Sequence, residues 1–168
     1  KTAFCALYLL LMEINRKQFC DLESVAVAFS GGVDSSVVAA LARDIGLDVQ
    51  LISVGLENQP EVMFTKQAAE ALGLPLHLQT YSVKELEETL PKVLWLTEEV
   101  NPVSACIGVP FYWLAETAAK LEQPVLLAGQ GADEILYCDI NLDEVKKSHA
   151  RQLFFRDRRP ELYGDWLT

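Results

Sequence analysis

Paired cysteines, an excess of positive charge and a membrane-length apolar run are all missing from this sequence. Four cysteines occur, Cys5, Cys20, Cys106 and Cys138, and none makes Cys-x-x-Cys. Without that spacing, a zinc site or a redox pair is disfavoured. The expectation is four reduced, mostly buried thiols in a cytoplasmic protein. The formal net charge is −10, from 24 acidic and 14 basic residues. An acidic surface disfavours broad contact with tRNA or DNA phosphates, so nucleic acid is not an expected partner. Lys146, Lys147, Arg151, Arg156, Arg158 and Arg159 crowd one C-terminal stretch, which reads first as the solvated face of a helix. The apolar stretch Ala3 to Met12 is too short to cross a bilayer, and no small-residue cleavage site follows it. It reads as a helix packed on a sheet, and no membrane partner is expected. No repeat, low-complexity segment or linker divides the 168 residues. One domain is expected, with residues 1–22 as an N-terminal helix and 139–168 as a helical extension. A chain of this size buries about two-thirds of its unfolded surface.

What is present centres on Ala26-Val27-Ala28-Phe29-Ser30-Gly31-Gly32-Val33-Asp34-Ser35-Ser36. A β-type run leads into Ser-Gly-Gly-x-Asp-Ser-Ser, and a helical pattern follows, with Val37, Val38, Leu41, Ala42 and Ile45 expected on one face. Strand, glycine turn and helix start together make a phosphate site. Gly31 and Gly32 let the backbone approach an anion, and free N–H groups at the helix start point at it. Hydroxyls of Ser30, Ser35 and Ser36 add donors, and Asp34 can hold Mg2+ on the phosphates. No lysine closes the loop, so it is not the nucleotide triphosphatase loop, and it is not Gly-x-Gly-x-x-Gly.

Along the chain, Gly46 ends the first turn and residues 49–54 read as a second strand. A helix over 61–72 follows, stopped by Gly73 and Pro75. Residues 76–81 alternate as a short strand. Ser82 and Glu85 form a capping box for the next helix, which Asn101-Pro102 breaks. Pro110 is expected to open a further helix presenting Phe111, Leu114, Ala118 and Leu121. Residues 124–128 read as a buried strand, and Asn141 as another helix start. Short apolar strands alternating with helices predict an α/β fold, a doubly wound parallel sheet with helices on both faces. Ligands of such sheets bind beyond the carboxyl ends of the strands, so the loops after Phe29, Val54, Tyr81 and Ala128 belong on one rim.

A second strand-to-glycine junction stands at Leu127-Ala128-Gly129-Gln130-Gly131-Ala132-Asp133-Glu134. With both loops in view, residues 23 to 136 resemble the synthetase domain of asparagine synthetases and β-lactam synthetases, within the PP-loop ATP pyrophosphatases. The carrying motifs are Ser30 to Ser36, Val54-Gly55-Leu56-Glu57 and Gly129 to Glu134. The resemblance implies ATP and Mg2+ as cofactors. Backbone at Val54 and Gly55 would receive adenine. Ser30, Gly31, Gly32, Asp34, Ser35 and Ser36, with Gly129, Gln130 and Gly131, would hold the phosphates, and Asp34 and Asp133 the metal. Glu98 falls where the family places an acid near the reacting groups, able to take the proton that an attacking amine loses. Asn101 replaces the family's aspartate. Cys106 falls near a position where asparagine synthetases often have arginine, a clamp for a substrate carboxylate. Lys146 and Lys147 are candidates for the family's downstream catalytic lysine.

The expected function is therefore an ATP-dependent carbon–nitrogen ligase that adenylates a small-molecule carboxylate, with aspartate as the family-based substrate. The chain begins Lys1-Thr2, without the N-terminal nucleophilic cysteine of a glutaminase domain. A short form is expected, drawing nitrogen from ammonia, an amine or a separate glutaminase. Two readings compete: a nucleotide-binding module without complete catalysis, and a tRNA-modifying PP-loop pyrophosphatase. A homodimer is the default oligomeric expectation.

Overall fold

The computed structural model describes residues 2–57 and 61–131. The chain divides into two compact units, Lys1–Gly129 and Gln130–Thr168. The first holds every described element: α1 (Thr2–Gln18), β1 (Ser24–Ala28), α2 (Val33–Asp44), β2 (Asp48–Leu56), α3 (Glu61–Leu72), β3 (Leu76–Tyr81), α4 (Val83–Thr97), α5 (Pro102–Lys120) and β4 (Leu126–Ala128).

The strands are β-branched and apolar where they are most buried. Val25, Val27, Val49, Leu51 and Ile52 have no more than 2% of their surface exposed. Burying each such side chain is worth about 1.5–3 kcal/mol, enough to draw both faces of the sheet under helices. All pairs are parallel, in the order β3-β2-β1-β4. One face packs Val25, Val27, Val49 and Leu51 against Ala39 and Ala42 of α2 and Ala69 of α3. The other packs Ala26 and Ile52 against Leu114 and Ala118 of α5. The sheet is thus covered on both sides, as the alternation of elements predicts. Ala28 stands opposite both Ile52 and Ala128, and Leu56 opposite Tyr81, so the four carboxyl ends share one rim. β2 and β3 extend about four residues past the end of β1 and form a wall above it.

Local chemistry sets the element ends. Gly46, at φ +98°, lets the chain leave α2 where a β-carbon would be strained. Arg43 donates from Nη1 to the Leu72 carbonyl at 2.9 Å, tying α2 to the last turn of α3. Ser82 caps α4: its hydroxyl oxygen accepts from Glu85 N–H, and the Glu85 carboxylate accepts from Ser82 N–H at 2.8 Å. Those hydrogen bonds, the backbone one foremost, hold the Glu85 carboxyl below its usual pKa.

Three expectations are corrected. The helix expected to open at Pro110 begins at Pro102, and Pro110 lies inside it. Asn101 supplies the start signal, since its Oδ1 accepts from Val103 N–H at 2.9 Å, and Pro102 suits a first-turn position where no N–H is needed. The covered residues of α2 include Ser35, Val38, Ala39, Leu41 and Ala42, so Val38, Leu41 and Ala42 lie inward as expected, while Val37 is 47% exposed and points away. The thiols are not mostly buried: Cys5, Cys20 and Cys106 are free and exposed. Cys138 lies outside the described residues, as do the helix start at Asn141 and the extension over 139–168. α1 packs on α2, where the Tyr8 hydroxyl donates to Asp44 Oδ2 at 2.7 Å, and Leu7, Leu9, Leu10 and Ile14 stay exposed. No described helix is long and apolar enough to cross a membrane.

Candidate functional site

From β1 the chain steps outward through α2 to β2, then through α3 to β3. It then crosses by α4 and α5 to β4 on the other side of β1. The direction of winding reverses between β1 and β4. In an open parallel sheet that reversal leaves a crevice at the carboxyl ends, because the flanking loops turn away to opposite faces. The residues that enter this crevice are Ser30 to Ser36 after β1 and Gly129 after β4.

Two glycines set how closely backbone approaches there. Gly31 sits at φ +80°, and a β-carbon on it would stand 3.1 Å from Thr65 Cα and 3.2 Å from Phe64 Cδ1. A β-carbon on Gly129 would stand 2.9 Å from both Asp34 C and Ser35 N. The end of β4 therefore rests directly on the first turn of α2, a contact that any side chain would push apart.

The hydroxyls of Ser30 and Ser35 shape the loop. Ser30 Oγ accepts from Gly32 N–H at 3.2 Å and lies 3.2 Å from Ser35 Oγ. Ser35 Oγ in turn donates to the Gly32 carbonyl at 3.1 Å. From α3, the buried Thr65 donates its hydroxyl to the Ser30 carbonyl at 3.1 Å. The glycine turn is thus held from both sides in one shape. Gly32 is the N-cap of α2 and offers no side-chain cap. The first intrahelical donor is Ser36 N–H, bonded to the Gly32 carbonyl at 3.0 Å. The N–H groups ahead of it, on Val33, Asp34 and Ser35, have no helical acceptor by geometry. Together with the helix dipole, they make a fixed concentration of positive potential.

Asp34 stands half-buried in that first turn. Its carboxylate would repel a phosphate unless a cation lay between them, which is the chemistry of a Mg2+-nucleotide site. Asp133 lies outside the described residues. Among those described, no three metal-ligating side chains cluster. A metal sharing its shell with phosphate oxygens needs no such cluster. Phosphate and Mg2+ therefore fit the residues present.

Val54 and Gly55 lie on the stretch of β2 beyond β1 and line a cleft of about 600 Å³ with residues of α4 and α5. Gln130 and Gly131 begin the second unit, Gln130 exposed and Gly131 at φ +93°. Glu98 is the exposed C-cap of α4, in the left-handed region at φ 54°, and is not among the cleft's lining residues. Asn101 has a structural task, capping α5. Lys146 and Lys147 lie outside the described residues. Sequence reasoning missed Thr65 and the α4–α5 cleft, because a lone threonine on a helix and an apolar stripe carry no signal of their own.

A family model described as asparagine synthase matches residues 7–165. Glutamine-hydrolysing asparagine synthetase 1 of Bacillus subtilis is 35% identical over 108 residues, 63% of this chain and 17% of that one. A Methanocaldococcus jannaschii protein, provisionally named glutamine-hydrolysing asparagine synthetase 1, is 33% identical over 147 residues, 82% of this chain and 27% of that one. The chain thus spans about a quarter or less of the length of these relatives. In structure it is similar to glutamine-dependent NAD+ synthetase of Acinetobacter baumannii in complex with ADP. The TM-score is 0.60 at 18% identity, over 80% of this chain and 27% of that one. NMN synthetase of Francisella tularensis gives a TM-score of 0.52 at 18% identity, over 70% and 51%. At that identity the likeness shows the fold alone, a parallel α/β sheet covered by helices on both faces. With the family model spanning nearly the whole sequence, the chain belongs to the asparagine synthase family.

Proposed function

We propose that this chain forms the ATP-dependent synthetase site of a carbon–nitrogen ligase. The observation that carries the reading is the uncapped start of α2, pressed between Gly31 and Gly129 at the switch point of the sheet. A backbone so closely packed, with donors aimed outward and no side-chain cap, suits an oligophosphate better than a structural turn. Ser30, Ser35 and the N–H groups of the first turn of α2 would hold the pyrophosphate portion, and Asp34 its Mg2+. Val54 and Gly55 are the proposed adenine contacts.

ATP supplies an electrophilic phosphorus and a stable leaving group. A carboxylate oxygen bonds to the α-phosphorus, and the bridging P–O bond to the β-phosphate breaks. An amine nitrogen then attacks the activated carbonyl, loses a proton and expels AMP. The work of this chain is to fix the reacting groups and to stabilise the charge that builds on the departing phosphates. Glu98 is the proposed proton acceptor. Ammonia and aspartate are the reactants that the family points to.

The test is product analysis with Mg2+-ATP, aspartate and ammonium. AMP and pyrophosphate appearing in equal amounts, and only when a carboxylate is supplied, is the expected result. ATP left intact with every carboxylate tried overturns the reading in favour of a binding module. Asp34→Ala should weaken Mg2+-ATP binding at least about tenfold, about 1.4 kcal/mol, with far-ultraviolet circular dichroism unchanged.

A further inference from the structure

A second hollow, of about 150 Å³, opens on a different side of α4 from the cleft, and Trp113 is the only described residue that borders both. The cleft takes Leu86 and Leu90 from α4, whereas the hollow takes Glu85, Glu88, Thr89 and Lys92. Tyr112 and Glu116 come from α5, and Tyr81, at the end of β3, completes the lining. Trp113 stacks on Tyr81 with ring centroids 4.0 Å apart, so an aromatic base is in place before any ligand arrives. The volume is below that of sites for drug-sized molecules and suits a ligand of a few heavy atoms.

Buried hydroxyls with unused protons single this hollow out. Tyr81 is 7% exposed, and its hydroxyl makes no hydrogen bond among the described residues. Gln123 Oε1 is the one fully buried side-chain polar atom without a partner among them, so Tyr81 Oη reaches open space, and the hollow is the space that Tyr81 borders. A phenol so deeply packed is costly to leave unpaired. Thr89 is 6% exposed, and its Oγ1 accepts from Trp113 Nε1–H at 3.1 Å but donates to no group among the described residues. Thr97 and Thr117, by contrast, give their protons to the carbonyls of Val93 and Trp113, four residues back. Glu88 stands one turn before Lys92, yet pairs with Lys84 at 3.9 Å, and Lys92 forms no ion pair among the described residues. Two hydroxyl donors beside a free ammonium are a recognition set for a carboxylate.

The opposite charge lines the same hollow. Glu85 is committed to the cap of α4, where its carboxylate accepts from the Ser82 N–H and hydroxyl. Glu88 and Glu116 are held only by exposed pairs, with Lys84 at 3.9 Å and Lys120 at 3.1 Å. Pairs of this kind contribute little, so a ligand's ammonium can replace either lysine at small cost. The carboxylates do not converge as metal ligands would, since no three metal-ligating side chains cluster among the described residues. We propose that the hollow binds a free α-amino acid as its zwitterion. Its carboxylate meets Tyr81, Thr89 and Lys92, and its ammonium meets Glu88 and Glu116. The volume restricts the side chain to a small one. Because Val54, Gly55 and the Ser30–Ser36 loop take no part, this site stands or falls independently of the ligase reading.

The test is calorimetric titration of the intact protein with glycine, L-alanine and L-serine, with propanoate and propylamine as single-charge controls. At least one of the zwitterions should bind at one site per chain, about tenfold or more tighter than either control, with or without Mg2+-ATP. Tyr81→Phe keeps the ring stack and removes only the hydroxyl, while Lys92→Met and Glu116→Gln each remove one charge. Each variant should weaken amino-acid binding by about fivefold or more and leave the Kd for Mg2+-ATP unchanged. Absence of binding by all three amino acids at millimolar concentration overturns the proposal. So does propylamine binding as tightly as alanine, which would make the hollow a site for cations alone. Binding seen only with Mg2+-ATP present would give the amino acid to the reaction site, and unchanged affinity in all three variants would place it elsewhere. Either result also overturns the proposal.

Discussion

Single residues matter most here where a β-carbon has no room. Gly129 and Gly46 are both glycines at an element end, yet they answer to different physics. At Gly129 the obstacle is the backbone of Asp34 and Ser35 at 2.9 Å, which cannot swing aside as a flexible side chain would. Gly129→Ala should force β4 away from the first turn of α2, costing about 1–3 kcal/mol of stability and raising the Kd for Mg2+-ATP at least about tenfold. At Gly46 a β-carbon would meet nothing within 4 Å, and the penalty comes from its φ of +98° alone. Gly46→Ala should cost roughly 1–2 kcal/mol and leave nucleotide affinity unchanged. Thermal unfolding and calorimetric titration of the two variants separate backbone strain from damage to the site. Equal effects on ATP affinity would show that Gly129 acts through general stability.

Whole elements place the loop, and α3 does so with one hydroxyl. Thr65→Val keeps the shape of the side chain but leaves the Ser30 carbonyl without its donor, a loss of about 1–3 kcal/mol. Because that carbonyl belongs to the glycine turn, ATP affinity should fall along with stability, and Thr65→Ser should restore both. At α4 the capping box gives a pH-dependent test. The folded-state pKa of Glu85 is lowered by its hydrogen bonds to Ser82. A depressed carboxyl contributes stability above its unfolded pKa and loses it as pH falls through the folded value. Ser82→Ala should cost about 1 kcal/mol near neutral pH. The difference in Tm from the unaltered protein should narrow below about pH 4.

The same element scale shows what the sequence could and could not disclose. The ends of α3 and β3 and the Ser82–Glu85 box are readable because each depends on residues within a few positions of one another. The start of α5 is written in Asn101-Pro102, a capping side chain followed by a first-turn proline, but the same pair also reads as the break after α4, which moves the expected start on to Pro110. Val37 reads as a core residue until the sheet decides which side of α2 is covered. Cys106 is exposed where it lines the cleft formed with β2, α4 and α5. The glycine turn between β1 and α2 was legible because strand, glycines and helix start are contiguous. The α3 clamp was not, because Thr65 is 35 residues from the carbonyl it holds.

For the molecule as a whole, the deciding fact is strand order, which no local pattern encodes. Had β4 lain beside β3, Gly129 and Ser30 would not share a rim position, and the start of α2 would face solvent alone. The order β3-β2-β1-β4 brings the Ser30–Ser36 loop and Gly129 to one crevice, so the proposed phosphate site belongs to the tertiary fold and not to the loop peptide. A ligand that binds the folded chain alone then stabilises all of it, by about 2.7 kcal/mol at a concentration of one hundred times Kd. In a chain of this length that is a rise in Tm of about 5–10 °C. Mg2+-ATP should produce it, and Mg2+-pyrophosphate should reproduce a part of it, because the N–H groups of α2 meet phosphate rather than base. Gly129→Ala should abolish the pyrophosphate shift. Adenosine, which has no phosphate, should give a shift that this variant leaves intact. If adenosine alone matched ATP, or if pyrophosphate gave no shift in the unaltered chain, the crevice between β1 and β4 would not be the phosphate site.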